Sequence, residues 1–261
     1  MSRVGRVRAS TRAAALAFLR RRTAVFFTFL FPLIIVVIFG ALVQTQPTGG
    51  GLFTEPAGYY VPGYLAVVVL FTPLSRVGSE VARHREDNRF EKLATTPLTR
   101  SEWLLAQTLV NVAVIGLAAL LLLALLVVVT GASITFSPLL VAFVAVGVAL
   151  FCGIGAVLGA TADSQDGVIA ASNALALPLL FLSETFVPLS LLPSWFRPLV
   201  DLSPLTYFSR GVRGATYDAG AVGETPVSAV LGGDPLSNFA VLVVLAAAAV
   251  VAGAAVLPRT E

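Results

Sequence analysis

Charged residues are scarce in this sequence, since Asp, Glu, Lys and Arg make up only 12% of its 261 residues. Ordinary soluble domains carry about 25% charged residues. Apolar residues make up 57% of the chain, more than a soluble core can absorb. Lipid must therefore be the solvent for much of this chain, and we expect an all-α protein that crosses a membrane several times.

Cysteine, histidine and lysine each occur once, and each scarcity excludes a class of protein. The single Cys152 excludes a disulfide framework. His84 is the only histidine, which excludes a metal cluster built on several histidines. It also leaves no second histidine for a catalytic triad. The one lysine, Lys92, lies outside any glycine-rich context, and the chain has no GxxxxGK[ST] phosphate loop for ATP hydrolysis. The net charge of +3 lies on no visible soluble module, so nucleic acid is not an expected partner.

Six stretches approach or exceed the roughly 20 apolar residues that cross a bilayer. They are residues 25–43, 59–78, 103–130, 138–162, 167–183 and 236–257. The second stretch contains Pro62 and Pro73, which membrane helices tolerate as kinks. We therefore predict one transmembrane domain, residues 1–261, with six spans.

Apolar sequence continues beyond the fifth stretch, but prolines interrupt it at Pro188, Pro193, Pro198 and Pro204. A seventh full span there would need all four within its helix. We instead predict a re-entrant or interfacial pair of short helices within residues 184–235. That backbone must be covered by protein or water.

Basic residues are distributed unevenly among the predicted loops. The first 22 residues hold seven arginines, residues 75–102 hold six basic residues, and Arg259 lies near the end. Residues 184–235 hold three basic residues, and residues 44–58 and 131–137 hold none. The positive-inside rule then places both termini in the cytoplasm. Arginine supplies 16 of the 17 basic residues, which favours a prokaryotic source and therefore its cell (plasma or inner) membrane.

The N-terminal segment is too long to be a secretory signal, because its apolar stretch of 19 residues exceeds the usual 7–15. Before that stretch, Val4, Val7, Ala14 and Phe18 recur at helical spacing, while most arginines lie elsewhere around the helix. This pattern favours an interfacial helix within residues 1–22, on the anionic inner leaflet, over a disordered basic tail.

Ionisable residues are absent from the central sections of all six predicted spans. A proton-coupled carrier needs such residues at depth, where each charge costs at least ~2.5–3.5 kcal/mol and therefore marks function. Sodium coupling is disfavoured but not excluded. The energy for uphill transport would have to come from a partner. Asn111 and Asn173 could face a pathway or bond across helices, and we favour the structural interpretation.

The predicted cytoplasmic loop, residues 75–102, has an unusual centre, RHREDNRFEKLATTPLTRSEW. Phe90, Leu93 and Ala94 fall at helical spacing among charged residues, and Pro97 ends this short helix. Thr99 and Glu102 have the spacing of a capping box for the next helix. An exposed Phe on a helix of mixed charge suits docking into a groove on another protein, although the spacing alone fits a solvated connecting hairpin equally well.

Two segments resemble the type-2 ABC transporter permeases. In the first loop the residues that fit are Glu86, Glu91, Leu93, Thr96, Pro97, Leu98, Arg100, Glu102, Leu104 and Leu105. The second segment, LSETFVPLSLLPSWFRPLVDLSPLTYFSRGVR, fits at Ser183, Phe186, Pro188, Leu192, Pro193, Trp195, Arg197, Pro198, Pro204, Leu205, Thr206, Tyr207 and Arg213. The order of the two motifs and the six-span layout extend the resemblance over nearly the whole chain.

Three departures from the family pattern replace a usual glycine. The usual glycine of the first loop is Asn88, which also tolerates left-handed geometry. The glycine that commonly follows Ser183 is Glu184, which places a carboxylate at the outer end of the fifth span. We expect this carboxylate to alter the exit side or to form an ion pair with Arg197. The usual Gly-Lys after the first loop is Ala106-Gln107.

The resemblance implies a non-catalytic permease that pairs with a second permease copy, identical or not, and with two separate ATPase subunits that bind ATP and Mg²⁺. No cofactor is expected in this chain. The contact with the ATPase would be a coupling helix that comprises Glu86, Arg89, Phe90, Glu91, Lys92, Leu93, Thr96 and Pro97. The outer re-entrant gate would comprise Glu184, Phe186, Pro188, Pro193, Trp195, Arg197, Pro204 and Tyr207.

Export of a lipophilic small molecule, drug or lipid is the function that the resemblance and the uncharged spans imply. A stand-alone channel or secondary carrier, and a membrane scaffold without transport, remain the alternatives.

Overall fold

The computed structural model describes residues 2–38, 57–131, 135, 137–185, 192–216 and 234–258. Helices dominate the described part. They are α1 (Arg3–Arg20), α2 (Arg22–Val36), α3 (Val61–Glu86), α4 (Arg89–Ala94), α5 (Arg100–Thr130), α6 (Pro138–Thr161), α7 (Gln165–Phe181), α8 (Arg197–Val200), α9 (Pro204–Thr216) and α10 (Pro235–Val256). A 3₁₀ turn, Ala57–Tyr60, precedes α3.

Short polar side chains begin several of these helices. The Ser2 hydroxyl accepts a hydrogen bond from the Gly5 N–H, and Ser137, Ser164 and Asp234 begin α6, α7 and α10 in the same manner. Such caps satisfy N–H groups that have no partner inside the helix. A helix, α1, is present where the interfacial helix was predicted, and the short helices α8 and α9 lie where two helices were predicted after the fifth span; their positions relative to the membrane stay predictions.

Four helices in the described part are long and apolar enough to cross a membrane. They span Gly58–Glu86, Arg100–Thr130, Pro138–Thr161 and Pro235–Val256. The helices at the first and fifth predicted spans, α2 and α7, have only 15 and 17 residues. The chain is therefore a polytopic all-α membrane protein, and crossing by α2 and α7 stays a prediction.

Glycines allow α6 to contact the backbones of its two main neighbours. A Cβ added at Gly159 would lie 2.2 Å from the Gly78 carbonyl oxygen of α3. On another face, a Cβ at Gly153 would lie 2.5 Å from the Ala249 carbonyl carbon of α10. Close approach through small residues is a usual basis of helix association in membranes.

Antiparallel packing gathers the described helix ends at two opposite ends of the bundle. The basic end comprises α1, α4, the last turn of α3, the first turns of α5 and α7, and the last turns of α6 and α10. The opposite end comprises the start of α3, the end of α7, α8 and α9. Thr135, from the α5–α6 loop, lies at the opposite end, where its N–H donates to the Thr216 carbonyl at 3.1 Å.

Gly159→Ala should destabilise the protein by about 1–3 kcal/mol, because the added methyl group would overlap the α3 backbone and force a shift. Gly116→Ala is the matched control, since no atom lies within 4 Å of a Cβ there and alanine favours a helix. Thermal unfolding in detergent measures both variants. Equal unfolding temperatures would contradict the close approach of α3 and α6.

Candidate functional site

Three rings hold the short helix α4 against the bundle at its basic end. The Phe90 ring centroid lies 5.3 Å from that of His84 on α3 and 5.4 Å from that of Trp103 on α5, and the His84 and Trp103 centroids are 5.3 Å apart. Aromatic pairs at such distances and tilts are favourable. The trio therefore fixes α4 to both neighbouring helices.

The expectation of an exposed Phe90 is wrong, because this side chain is only 7% exposed. The aromatic partners that bury it come from α3 and α5, which the local spacing of the loop could not show. Leu93 is half-buried beside it. The remaining predicted contact residues are exposed, namely Glu86, Arg89, Glu91, Lys92, Thr96 and Pro97. Arg89 pairs with Asp87 at 2.9 Å.

The backbone around α4 has the geometry that the sequence predicts. Asn88 lies in the left-handed region with φ of 51°, as expected for a residue that replaces glycine. Thr99 and Glu102 form a capping box at the start of α5. The turn before α4 and the cap after it set the direction in which the exposed face of α4 points.

Hydrogen bonds join the end of α3 to α6 and α7. The Arg85 guanidinium donates to the Gly159 and Ala162 carbonyls at 3.2 and 2.8 Å. The Glu86 carboxylate accepts from the Gln165 backbone N–H and side-chain amide at 3.1 and 3.0 Å. Glu86 is thus exposed but engaged within the chain, at the N-terminus of α7 where a carboxylate is favourable.

The start of α5 is joined to α10 and to α1. Arg100 donates to the Ala255 and Leu257 carbonyls at 3.3 and 2.6 Å. Arg6 forms a two-point ion pair with Glu102 at 3.0 and 2.6 Å, and this side-chain hydrogen bond raises the pKa of the Arg6 guanidinium. Glu102 therefore serves the capping box and the contact with α1 together.

Glu184 has two unusual features at the opposite end of the bundle. Its backbone is left-handed, with φ of 56°, in the place where the resembled family has glycine. Its side chain is buried and pairs with Arg210 of α9, which also pairs with Asp201 at 2.8 Å. The expected ion pair with Arg197 is wrong, since Arg197 is exposed and the fold brings α9 to Glu184 instead.

Arg213 is a buried arginine that was not among the predicted gate residues. Its match to the motif of the resembled family was the one signal that pointed to it. Its side chain is 1% exposed. It donates to the Glu184 carbonyl at 2.6 Å and to the Tyr59 carbonyl at 3.4 Å, and its guanidinium carbon lies 4.0 Å from the centroid of the Tyr59 ring. Arg213 therefore joins the end of α7, the start of α3 and α9.

The other predicted gate residues that the structure describes lie just before α8, on α8 or on α9. Pro193, Trp195 and Arg197 are exposed, with Trp195 at 72%. Pro204 begins α9, and the Tyr207 hydroxyl donates to the Asp201 carbonyl at 2.8 Å. Phe186 and Pro188 lie outside the described residues.

Asn111 and Asn173, the two asparagines considered for a pathway, differ in burial. Asn111 is fully buried, accepts a hydrogen bond from Arg76 of α3 at 3.2 Å and donates to the Gln107 carbonyl at 2.9 Å. Asn173 lies on the exposed face of α7. Asn111 thus bonds across helices, whereas the role of Asn173 stays a prediction. Within the described residues, no group of three or more His, Cys, Asp or Glu could hold a metal.

The helices described above form a multi-pass membrane protein. At its basic end it carries a partly exposed loop, which contains α4. The chain belongs to the ABC-2 type transporter family, whose model matches residues 6–217. The match covers most of the chain, which therefore carries the membrane domain of that family.

Two curated relatives share the name "Putative transport permease ycf38". The protein from Cyanophora paradoxa is 28% identical over 189 residues, and that from Porphyra purpurea is 26% identical over 190. Each match covers 70% of this chain and 64% of the relative. The chain thus matches slightly less than two thirds of the length of these relatives.

Glu184→Gly should be more stable than Glu184→Ala by about 1 kcal/mol, because both variants lose the pair with Arg210 but only glycine adopts the left-handed backbone without strain. Thermal unfolding of the two variants in one detergent gives the difference. An alanine variant as stable as the glycine variant would show that the backbone at this position is not strained.

Proposed function

We propose that this chain is the membrane subunit of an ATP-driven exporter of a lipophilic small molecule, drug or lipid. Separate ATPase subunits, which bind ATP and Mg²⁺, and a second permease copy complete the transporter. The observation that carries the proposal is α4, a short charged helix held by the Phe90–His84–Trp103 trio, in a chain that belongs to a transporter family.

We propose that the ATPase binds to the exposed face of α4 and to the residues that follow it. Arg89, Glu91 and Lys92 lie on that face, with Thr96 and Pro97 beyond it. Phe90 has a different part in this proposal, because it anchors α4 from inside. A mixed-charge surface favours complementary docking and specificity between subunits.

Movement of α4 would reach several helices through the bonds around it. The aromatic trio joins it to α3 and α5, while Glu86 and Arg85 join the end of α3 to α7 and α6. Arg100 joins the start of α5 to α10. Packed helices with hydrogen-bonded ends transmit displacement as units, so ATPase closure would change the helix arrangement on which alternating access depends.

A contact cluster at the opposite end would hold the outer side of the pathway closed. Glu184, Arg210 and Arg213 tie the end of α7, α9 and the start of α3 together. Because Glu184 and Arg213 are buried, loss of a partner would leave an uncompensated buried charge, which is strongly destabilising. We propose this cluster as the outer gate, with α8 and α9 as its helical cover.

Glu91→Arg combined with Lys92→Glu should abolish co-purification of the ATPase and ATP-dependent transport, because the double change reverses the charge pattern of α4 and keeps its net charge. Co-purification and uptake into inverted vesicles are the measurements. Arg197→Glu, at the opposite end, is the control and should retain the ATPase.

A double variant that still binds the ATPase and transports substrate would contradict the coupling proposal. Uphill flux in vesicles that contain no ATPase would favour a secondary carrier instead. Retained ATPase binding without any measurable transport by the unmodified protein would favour a scaffold.

Single cysteines should report the membrane sides. In a Cys152→Ala background, Lys92→Cys should react with an impermeant maleimide only from the cytoplasm, and Ser194→Cys only from outside, because the positive-inside rule places the basic end inside. Gel-shift labelling of intact cells and of inverted vesicles measures both positions. Labelling of Lys92→Cys in intact cells would contradict the proposed orientation.

A further inference from the structure

A groove of about 1170 Å³ lies between α1 and the first turns of α5. It is larger than the ~300–1,000 Å³ typical of small-molecule clefts. Arg3, Arg8 and Arg12 line it from α1, and Leu105 and Leu109 line it from α5. Charge on one wall and apolar side chains on the other suit an amphiphile.

The arginines of the groove are available to an anion. Arg8 and Arg12 are four residues apart, on one face of α1, and both are exposed. In the part of the chain that the structure describes, neither they nor Arg3 pair with a carboxylate. Glu102 is the one acidic residue among the described lining residues, and Arg6 and the Thr99 N–H already occupy its oxygens. The groove is therefore electropositive.

The apolar wall continues away from the arginines along α5. Leu105 and Leu109 are 47% and 43% exposed, and Leu117, Leu120 and Leu121 continue the exposed face of the same helix at 52%, 57% and 45%. The helix α5 is long and apolar enough to cross a membrane, so its exposed leucines suit contact with lipid chains. A ligand whose charged group sits between the arginines would thus extend its tail along a surface that already lies in the bilayer.

We propose that this groove binds an anionic phospholipid of the inner leaflet, with its phosphate near Arg8 and Arg12 and its acyl chains along Leu105 and Leu109. Arg–phosphate pairs are charge-assisted and geometrically well matched. An acidic protein segment would match the arginines but not the leucine face that continues into the bilayer. A lipid with no net charge would leave the arginines without a counter-charge.

A lipid in this position binds where α1 meets α5. The Arg6–Glu102 ion pair lies beside it, and Glu102 also caps the helix that follows the coupling loop. Bound lipid therefore holds α1 against the first turn of α5. The proposal does not rest on the transported substrate or on the ATPase, and its test requires neither.

Native mass spectrometry of the full-length permease, purified in a neutral detergent, tests the proposal. The probes are phosphatidylglycerol and phosphatidylcholine with identical acyl chains. The unmodified protein should retain phosphatidylglycerol in clear preference. Arg8→Gln with Arg12→Gln should lower the affinity for phosphatidylglycerol about 25-fold, because each arginine near an anionic lipid contributes roughly fivefold.

Arg20→Gln with Arg22→Gln is the matched control. It removes the same charge from exposed arginines that lie outside the groove, and it should retain the preference. Leu105→Trp probes the other wall and should weaken phosphatidylglycerol binding while every arginine stays in place.

Two results would overturn the proposal. Equal loss of phosphatidylglycerol in both arginine pairs would show attraction to the whole basic segment rather than a site. Equal retention of phosphatidylglycerol and phosphatidylcholine by the unmodified protein would show an apolar seam that does not recognise charge.

Discussion

Backbone contact between α3 and α6 is the constraint on which the rest of the structure depends. Gly155 and Gly159 bring α6 against the carbonyls of Leu74 and Gly78 on α3. Lipid tails are as apolar as the helices, so close packing rather than hydrophobic exclusion must hold such helices together. Because α3 also carries the loop that bears α4, this contact positions the candidate coupling surface.

Charged and polar groups work at the two ends of the bundle, where water or headgroups can solvate them. At the basic end they connect helices in pairs, as Arg85 does for α3 and α6 and Arg100 does for α5 and α10. At the opposite end Glu184 and Arg213 are buried, and the half-buried Arg210 pairs with Glu184. A buried charge is tolerated only with partners, so this cluster either stays complete or opens as a unit.

Several local features were predictable because their causes lie within a few residues. The capping box of Thr99 and Glu102, the left-handed Asn88 and the short helix before Pro97 all follow from neighbouring side chains. Helix number was harder to predict. Hydropathy alone does not show whether a helix crosses the membrane. The helix α7 has 17 residues, as many as the apolar stretch 167–183, whereas about 20 residues cross a bilayer, and residues 39–43 of the first stretch lie outside the described part.

By itself the sequence determined the membrane as solvent, the family and the position of the loop helix, since these depend on composition, motifs and local spacing. Tertiary structure alone decided which partners meet. It buried Phe90 between His84 and Trp103. It also paired Glu184 with Arg210 rather than with Arg197. Such pairings join residues that are distant in the chain, and only the packing of whole helices brings them within contact.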